Sequence, residues 1–168
     1  MTSLRDGCFF YCTSLISITI PDSVTSLGSN CFNGCSGLTS ITIPDSVTSL
    51  GYYCFSGCTS LTSITIPNSV TSLGDSCFYG CSGLKKVYFE SVTPPTILSN
   101  TFSNWNGNVY TLNYVGYQQA TNWSAIAARI MMDDRYTYTF KSLDITADDV
   151  AGNKTKTKVH WTEVVTKT

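Results

Sequence analysis

Eight cysteines stand in four Cys-x-x-x-Cys pairs: Cys8/Cys12, Cys31/Cys35, Cys54/Cys58 and Cys77/Cys81. Three roles fit such residues. An even count suggests a disulfide framework if the chain is extracellular, zinc would need four converging ligands, and a thiol can also act as a small buried hydrophobe with a weak donor. The single histidine, His160, lies between Val159 and Trp161. Acid-base or triad chemistry needs an imidazole oriented by a carboxylate beside a nucleophile. The sequence offers it only Glu163 and common hydroxyls, so a surface strand position is expected. Asp133-Asp134 and Asp148-Asp149 lack the alternating oxygen ligands and glycine of a calcium loop and read as solvated loop acids. No phosphate-cradling glycine loop occurs. No acid, base, nucleophile or metal set converges, and the expectation is a protein that is not an enzyme and uses no cofactor or metal.

The elements that carry these residues repeat. Shifted by 23 residues the sequence nearly superimposes on itself, with copies at 8–30, 31–53 and 54–76, a fourth opening at Cys77, and Thr2-Ser3-Leu4 matching Thr25-Ser26-Leu27. Such a period marks a solenoid or array. The chain thus starts on the tail of a copy and reads as a fragment. Within a copy, Ser40-Ile41-Thr42-Ile43 alternates polar and β-branched apolar residues, as a strand with one face inward does. Pro44 has no amide to continue a ladder, and Pro-Asp-Ser is turn chemistry. Val47 and Leu50 return to the interior, Gly51 permits a tight corner, and Cys31-Phe32 with Cys35 fits one short helical turn. One copy is one coil.

Stacked coils place equivalent residues in columns about 4.8 Å apart. The expected interior columns are Leu15/Leu38/Leu61/Leu84, Ile18/Ile41/Ile64/Val87, Ile20/Ile43/Ile66/Phe89, Val24/Val47/Val70, Leu27/Leu50/Leu73 and Phe9/Phe32/Phe55/Phe78. No coil buries enough to fold alone, so contacts with neighbours must stabilise it. The stacking also decides among the cysteine roles. Like cysteines with parallel Cβ directions about 4.8 Å apart exceed the roughly 3.8 Å Cβ separation of a disulfide, and closing a pair within one turn would distort it. The pairs repeat by translation in a solenoid without histidine, which disfavours zinc. Eight free, buried thiols are expected.

The pattern Cys-Phe-x-Gly-Cys-x-x-Leu-x-x-Ile-x-Ile-Pro-x-Ser-Val-x-x-Leu-Gly, over about residues 2 to 91, resembles the BspA-like leucine-rich repeat of bacterial and protist cell-surface proteins. That family usually has Ala where this chain has Cys31, Cys54 and Cys77. The resemblance implies a β-rich leucine-rich repeat solenoid of 23-residue coils with parallel strands. It also implies an extracellular or cell-surface location and a non-catalytic role in adhesion, with a protein or glycan ligand on a host or microbial surface. A structural spacer without its own ligand is the alternative.

The fourth copy drifts after Lys85-Lys86-Val87-Tyr88-Phe89, where Glu90 replaces the proline and Val92-Thr93-Pro94-Pro95 leaves the frame. Terminal repeats are atypical because their outer face meets water. The solenoid is therefore assigned to 1–93 and a C-terminal cap to 94–130. Tyr117, Ala120, Trp123, Ile126 and Ile130 suggest an amphipathic helix within 114–130. The segment also resembles the ending common after these repeats. The remaining 131–168 forms a β tail. Tyr136-Thr137-Tyr138-Thr139-Phe140 alternates, Leu143-Asp144-Ile145 continues it, Ala151-Gly152-Asn153 signals a turn, and 154–165 reads as a second strand. Two readings stand: a hairpin of the cap, or the first strands of a truncated immunoglobulin-like domain, which surface proteins of this family often carry after the repeats. The tail is too short for the seven strands of a complete one.

Composition narrows the partners. Of 168 residues, 12% are charged and 42% hydrophobic, and the formal net charge is −1. Without a basic stripe, nucleic acid and anionic lipid are disfavoured. No run of about twenty apolar residues exists to insert into a membrane. The outward columns Ser17/Ser40/Ser63/Lys86 and Thr19/Thr42/Thr65/Tyr88 form a polar, nearly uncharged sheet face. Ser40, Thr42, Ser63, Thr65, Lys86 and Tyr88 are the candidate contact residues, with Lys85, Lys86 and Tyr88 breaking the monotony at the C-terminal edge and marking the expected contact spot. The uncapped first coil makes end-to-end self-association a further expectation.

Overall fold

The computed structural model describes the backbone of residues 2–148 and 154–167 and the side chains of residues 2–136. They divide into two units, Met1–Met132 and Asp133–Thr168.

In the first unit the strands are β1 (Ser3–Leu4), β2 (Ser17–Thr19), β3 (Ser26–Leu27), β4 (Ser40–Thr42), β5 (Ser49–Leu50), β6 (Ser63–Ile66), β7 (Ser72–Leu73), β8 (Lys86–Phe89) and β9 (Asn108–Thr111), followed by helix α1 (Tyr114–Gln119) and β10 (Ile130–Met132). The Ser-Leu strands pair in parallel in the order β1-β3-β5-β7, with Ser3 opposite Ser26, Ser26 opposite Ser49 and Ser49 opposite Ser72. The register therefore advances one 23-residue copy per strand. On a second face β2 pairs with β4, and a separate parallel sheet runs β10-β9-β8-β6. In the first three coils the proline that follows each strand accepts a turn bond from the valine three residues on, as Val47 N–H does to the Pro44 carbonyl at 3.0 Å. The Cys-Phe segment forms consecutive turns, Cys58 N–H donating to the Phe55 carbonyl at 3.2 Å, while Phe55 N–H bonds Cys77 of the next coil at 2.9 Å.

The core lies inside the coils. Phe9, Phe32, Phe55, Phe78 and Phe102 stack in one row at centroid separations of 5.2, 5.4, 5.9 and 5.6 Å with nearly parallel planes. Leu38, Leu61 and Leu84, Val24, Val47 and Val70, and Ile43, Ile66 and Phe89 are buried as the columns require. Four members are only partly buried. Phe9, Leu15 and Ile18 belong to the first coil, which packs against a coil on one side among the described residues. Ile41 sits beside the interruption between β4 and β6.

The stack outlasts the identical period. Phe102 follows Phe78 by 24 residues and occupies the same row, Thr96 bridges to Ser72 as the next Ser-Leu strand would, and Val109 on β9 lies opposite Val87. Coils of slightly different length thus keep the parallel ladder, because pairing constrains the strands and leaves the connecting turns free to gain or lose a residue. The helix expected within 114–130 is shorter than its periodicity suggests. α1 ends at Gln119, Asn122 adopts a left-handed conformation with φ 66°, and a 3-10 segment spans Trp123–Arg129. Asn122 tolerates that conformation and donates Nδ2–H to the Ile97 carbonyl at 2.7 Å. The bend lets both Tyr117 and Trp123 bury, with Tyr117 Oη–H donating to the Ser91 carbonyl and Trp123 Nε1–H to the Pro95 carbonyl at 2.9 Å.

The second unit is a two-stranded antiparallel hairpin of β11 (Tyr136–Asp148) and β12 (Lys154–Lys167). The Ala151-Gly152-Asn153 turn signal lies outside the described residues.

Candidate functional site

The parallel ladder of the Ser-Ile-Thr face breaks between β4 and β6, whose sheets are not hydrogen-bonded to one another. A groove of about 470 Å³ opens there, lined by Ser40 and Thr42 on one side, Ser63 and Thr65 on the other, with Asp45 and Glu90 adding carboxylates. Strand alternation points these hydroxyls outward while Ile64 and Ile66 turn into the core. On the next strand Lys86 is opposite Ser63 and Tyr88 opposite Thr65, so these four candidates share one sheet face, with Ser40 and Thr42 lining the groove across the break. Tyr88 is only 9% exposed. Tyr110 of β9 lies against it at 5.0 Å, and the Lys86 ammonium stands 5.3 Å from the Tyr110 ring centroid and 5.9 Å from that of Tyr88. Two rings and a cation therefore form one unit, of the kind in which ring quadrupoles hold the charge. Tyr110 was not among the residues singled out from sequence, although Asn-Val-Tyr-Thr repeats the alternation of Lys-Val-Tyr-Phe. Lys85 turns away from the rings and donates Nζ–H to the Ser82 carbonyl at 2.8 Å.

All eight cysteines are free, and six of them, Cys31, Cys35, Cys54, Cys58, Cys77 and Cys81, are buried. Cys8 and Cys12 are exposed, contrary to the expectation of burial, because no described coil covers that side of the first turn. The two columns differ in function. Cys35, Cys58 and Cys81 donate Sγ–H to the carbonyls of Phe9, Phe32 and Phe55 in the preceding coil, at 3.0, 3.2 and 2.9 Å. A residue there must be small, apolar and able to donate once, which cysteine is. Burial raises the Cys35 thiol to about 11 and those of Cys31 and Cys81 to about 12. The reactive thiolate is thus suppressed in the core. Titration of the native protein with a disulfide reagent at pH 8 is expected to label two thiols, Cys8 and Cys12, within minutes and all eight only in denaturant. Rapid labelling of four or more would contradict the burial.

The remaining titratable candidates are dispersed. Asp133 is not the solvated acid expected from sequence: it is fully buried, and Arg135 pairs with both of its oxygens, Nη2 lying 2.6 Å from Oδ2 and Nε 3.0 Å from Oδ1. The two-residue spacing lets Arg135 fold back in a bidentate pair. Asp134 is exposed. Asp148 ends β11 opposite Lys154, and Asp149 lies outside the described residues. His160 is on β12 opposite Ser142, its side chain outside the described residues. Among the described residues no three His, Cys, Asp or Glu side chains group as metal ligands, and no helix is long and apolar enough to cross a membrane.

No curated protein matches the sequence. Among solved structures the chain is similar to the T. pallidum leucine-rich repeat protein, with 20% identity over 79% of this chain and 80% of that one and a TM-score of 0.48. It is also similar to a leucine-rich repeat protein from Bacteroides ovatus ATCC 8483 (26% identity, 69% of this chain, 38% of that one, TM-score 0.43). A third is a leucine-rich cell surface protein from Faecalibacterium prausnitzii A2-165 (21% identity, 92% of this chain, 48% of that one, TM-score 0.41). The chain spans less than half the length of the latter two. The family model for the BspA type leucine-rich repeat region matches six copies over residues 2–122. With its coils stacked in register and that match covering most of its length, the chain belongs to the BspA-type leucine-rich repeat family.

Proposed function

We propose that this protein is a non-catalytic adhesion module, extracellular or displayed at a cell surface, that recognises proteins or glycans of host or microbial surfaces through the Ser-Ile-Thr face of its solenoid. One observation supports this above others. Ser40, Thr42, Ser63 and Thr65 line a single groove where the ladder is interrupted, beside the Lys86, Tyr88 and Tyr110 unit. Solenoids present such extended faces to partners, and a lysine held over two adjacent rings is already ordered, which lowers the entropy lost on contact. The surface-protein description of the F. prausnitzii relative agrees with the location.

Biolayer interferometry against immobilised extracellular-matrix proteins and mucins tests the reading. Saturable binding is expected. Lys86→Ala and the groove-filling Thr42→Trp should each weaken it by roughly fivefold or more while the circular dichroism stays unchanged. Absence of binding at micromolar concentrations would leave the chain a spacer between other domains, and binding indifferent to both variants would move the contact elsewhere.

A further inference from the structure

The three complete copies are nearly identical, which makes their differences informative without any other sequence. Only three columns carry a different residue in every copy: Phe10/Asn33/Ser56, Ser29/Tyr52/Asp75 and Asn30/Tyr53/Ser76. These columns converge in space. A groove of about 710 Å³ on the turn side of the coils is lined by residues of these three columns alone, continued by Tyr79 from the fourth copy and by Asp6 and Gly7 from the partial first one.

Neutral drift on a solvated turn does not account for what fills it. Phe10 is 52%, Tyr52 45% and Tyr79 43% exposed, so these rings contribute little to the core. Tyr53 holds φ at 52°, a conformation disfavoured for any bulky side chain, where the equivalent positions have the smaller Gly7, Asn30 and Ser76 in the same left-handed region. Tyr11, beside Phe10, does the same at φ 55° in a column that is otherwise Gly34, Gly57 and Gly80. Folding alone favours glycine or a small polar residue at these sites, and strained bulky residues cluster where a ligand is met. Tyr53 stands at right angles to both its neighbours, 4.1 Å from Tyr52 and 6.1 Å from Tyr79 between ring centroids.

The chemistry of the walls selects the ligand. No lysine or arginine lines the groove, which disfavours phosphates and carboxylates. The Asp6 carboxylate already accepts the Ser29 N–H at 2.7 Å. The main chain is engaged between coils, with Gly7 N–H on the Ser29 carbonyl at 2.8 Å and Asn30 N–H on the Tyr52 carbonyl at 2.7 Å, so these amides are not available to pair with an added peptide strand. What remains is aromatic surface edged by neutral donors and acceptors. Asn33 Nδ2–H bonds Asn30 Oδ1 at 2.8 Å, which orders the carboxamide pair and leaves further amide valences for a ligand. A molecule with apolar C–H faces rimmed by uncharged hydroxyls complements this pattern.

We propose that the turn-side groove binds a neutral oligosaccharide, Tyr52 and Tyr79 stacking on sugar rings and Asn30, Asn33 and Ser56 hydrogen-bonding the hydroxyls. The residues are distinct from those of the strand-face groove, and either site stands or falls without the other. The test is a titration of the full chain with maltotriose, cellotriose, laminaritriose and chitotriose, with sialyllactose as a charged comparison, followed by amide chemical shifts. At least one neutral trisaccharide is expected to saturate, with shifts concentrated at residues 6–10, 29–33, 52–56 and 79. Tyr52→Ala and Tyr79→Ala should each weaken it roughly tenfold while the melting temperature moves by less than about 2 °C. Tyr53→Asn should weaken binding without lowering the melting temperature, since asparagine suits the left-handed backbone. No response from any neutral sugar at about 10 mM, response to sialyllactose alone, or affinity unchanged in Tyr52→Ala and Tyr79→Ala would overturn the proposal.

Discussion

As the pH rises above 9 this protein is expected to lose a large share of its stability, and the six buried thiols are the cause. Desolvation is the largest effect at each, and for five of them the sulfurs of neighbouring cysteines add to it. The Cys35 thiol is pushed to about 11 and those of Cys31 and Cys81 to about 12, with Cys54, Cys58 and Cys77 also held well above the ordinary value of 9.0. In the unfolded chain the same thiols ionise near 9. Above that pH the native state holds protons that the unfolded state has released, so stability is fully present below pH 9 and falls as pH rises toward the folded values. Each thiol removes about 1.4 kcal/mol per pH unit in that window, so six remove up to ~8 kcal/mol by pH 10, comparable with the 5–15 kcal/mol that holds a typical domain. Urea midpoints measured across pH 8 to 10.5 check this. The triple variant Cys31→Ala, Cys54→Ala, Cys77→Ala keeps the Sγ–H donors of the other column and should show about half the pH slope. An equal slope would place the alkaline transition in other groups.

Gly51→Ala should damage the fold more than its single added methyl suggests. A Cβ at Gly51 would lie 2.5 Å from the carbonyl carbon of Gly28 and the nitrogen of Ser29, and one at Gly74 equally close to Gly51 and Tyr52. The colliding atoms are backbone, held by Gly51 N–H on the Leu27 carbonyl at 2.8 Å and Gly74 N–H on the Leu50 carbonyl at 2.9 Å. No rotamer relieves such a clash, so the coils must separate along the Ser-Leu sheet. A loss of about 4 kcal/mol or more, or about 10 °C in melting temperature, is expected. Gly80→Ala provides the contrast. It meets nothing within 4 Å but keeps φ at 68°, so it should cost only about 1 kcal/mol from backbone strain. If Gly51→Ala melted like Gly80→Ala, the close approach of successive coils would not be what limits this column.

The repeating residues made most of the solenoid legible. An inward Ile-x-Ile strand, a proline stop, a glycine corner and a phenylalanine recur every 23 positions, and identical coils can only stack identical columns, so register and core follow from the period. Past Phe89 the residues no longer repeat, yet the ladder requires only that a strand and a filler return. Phe102, Thr96 and Tyr110 meet that requirement with shifted spacing. The covering of Tyr88 by Tyr110 follows from that continuation.

The sequence by itself determined the coil, its inward columns and the thiol character of the cysteines, since each depends on residues a fixed distance apart along the chain. Only the tertiary structure decided that the ladder opens between β4 and β6, that Asp133 is buried against Arg135, and that three variable columns meet in one aromatic groove. These depend on how turns and side chains settle against neighbours 23 or more residues away, or on local rotamers, neither of which periodicity specifies.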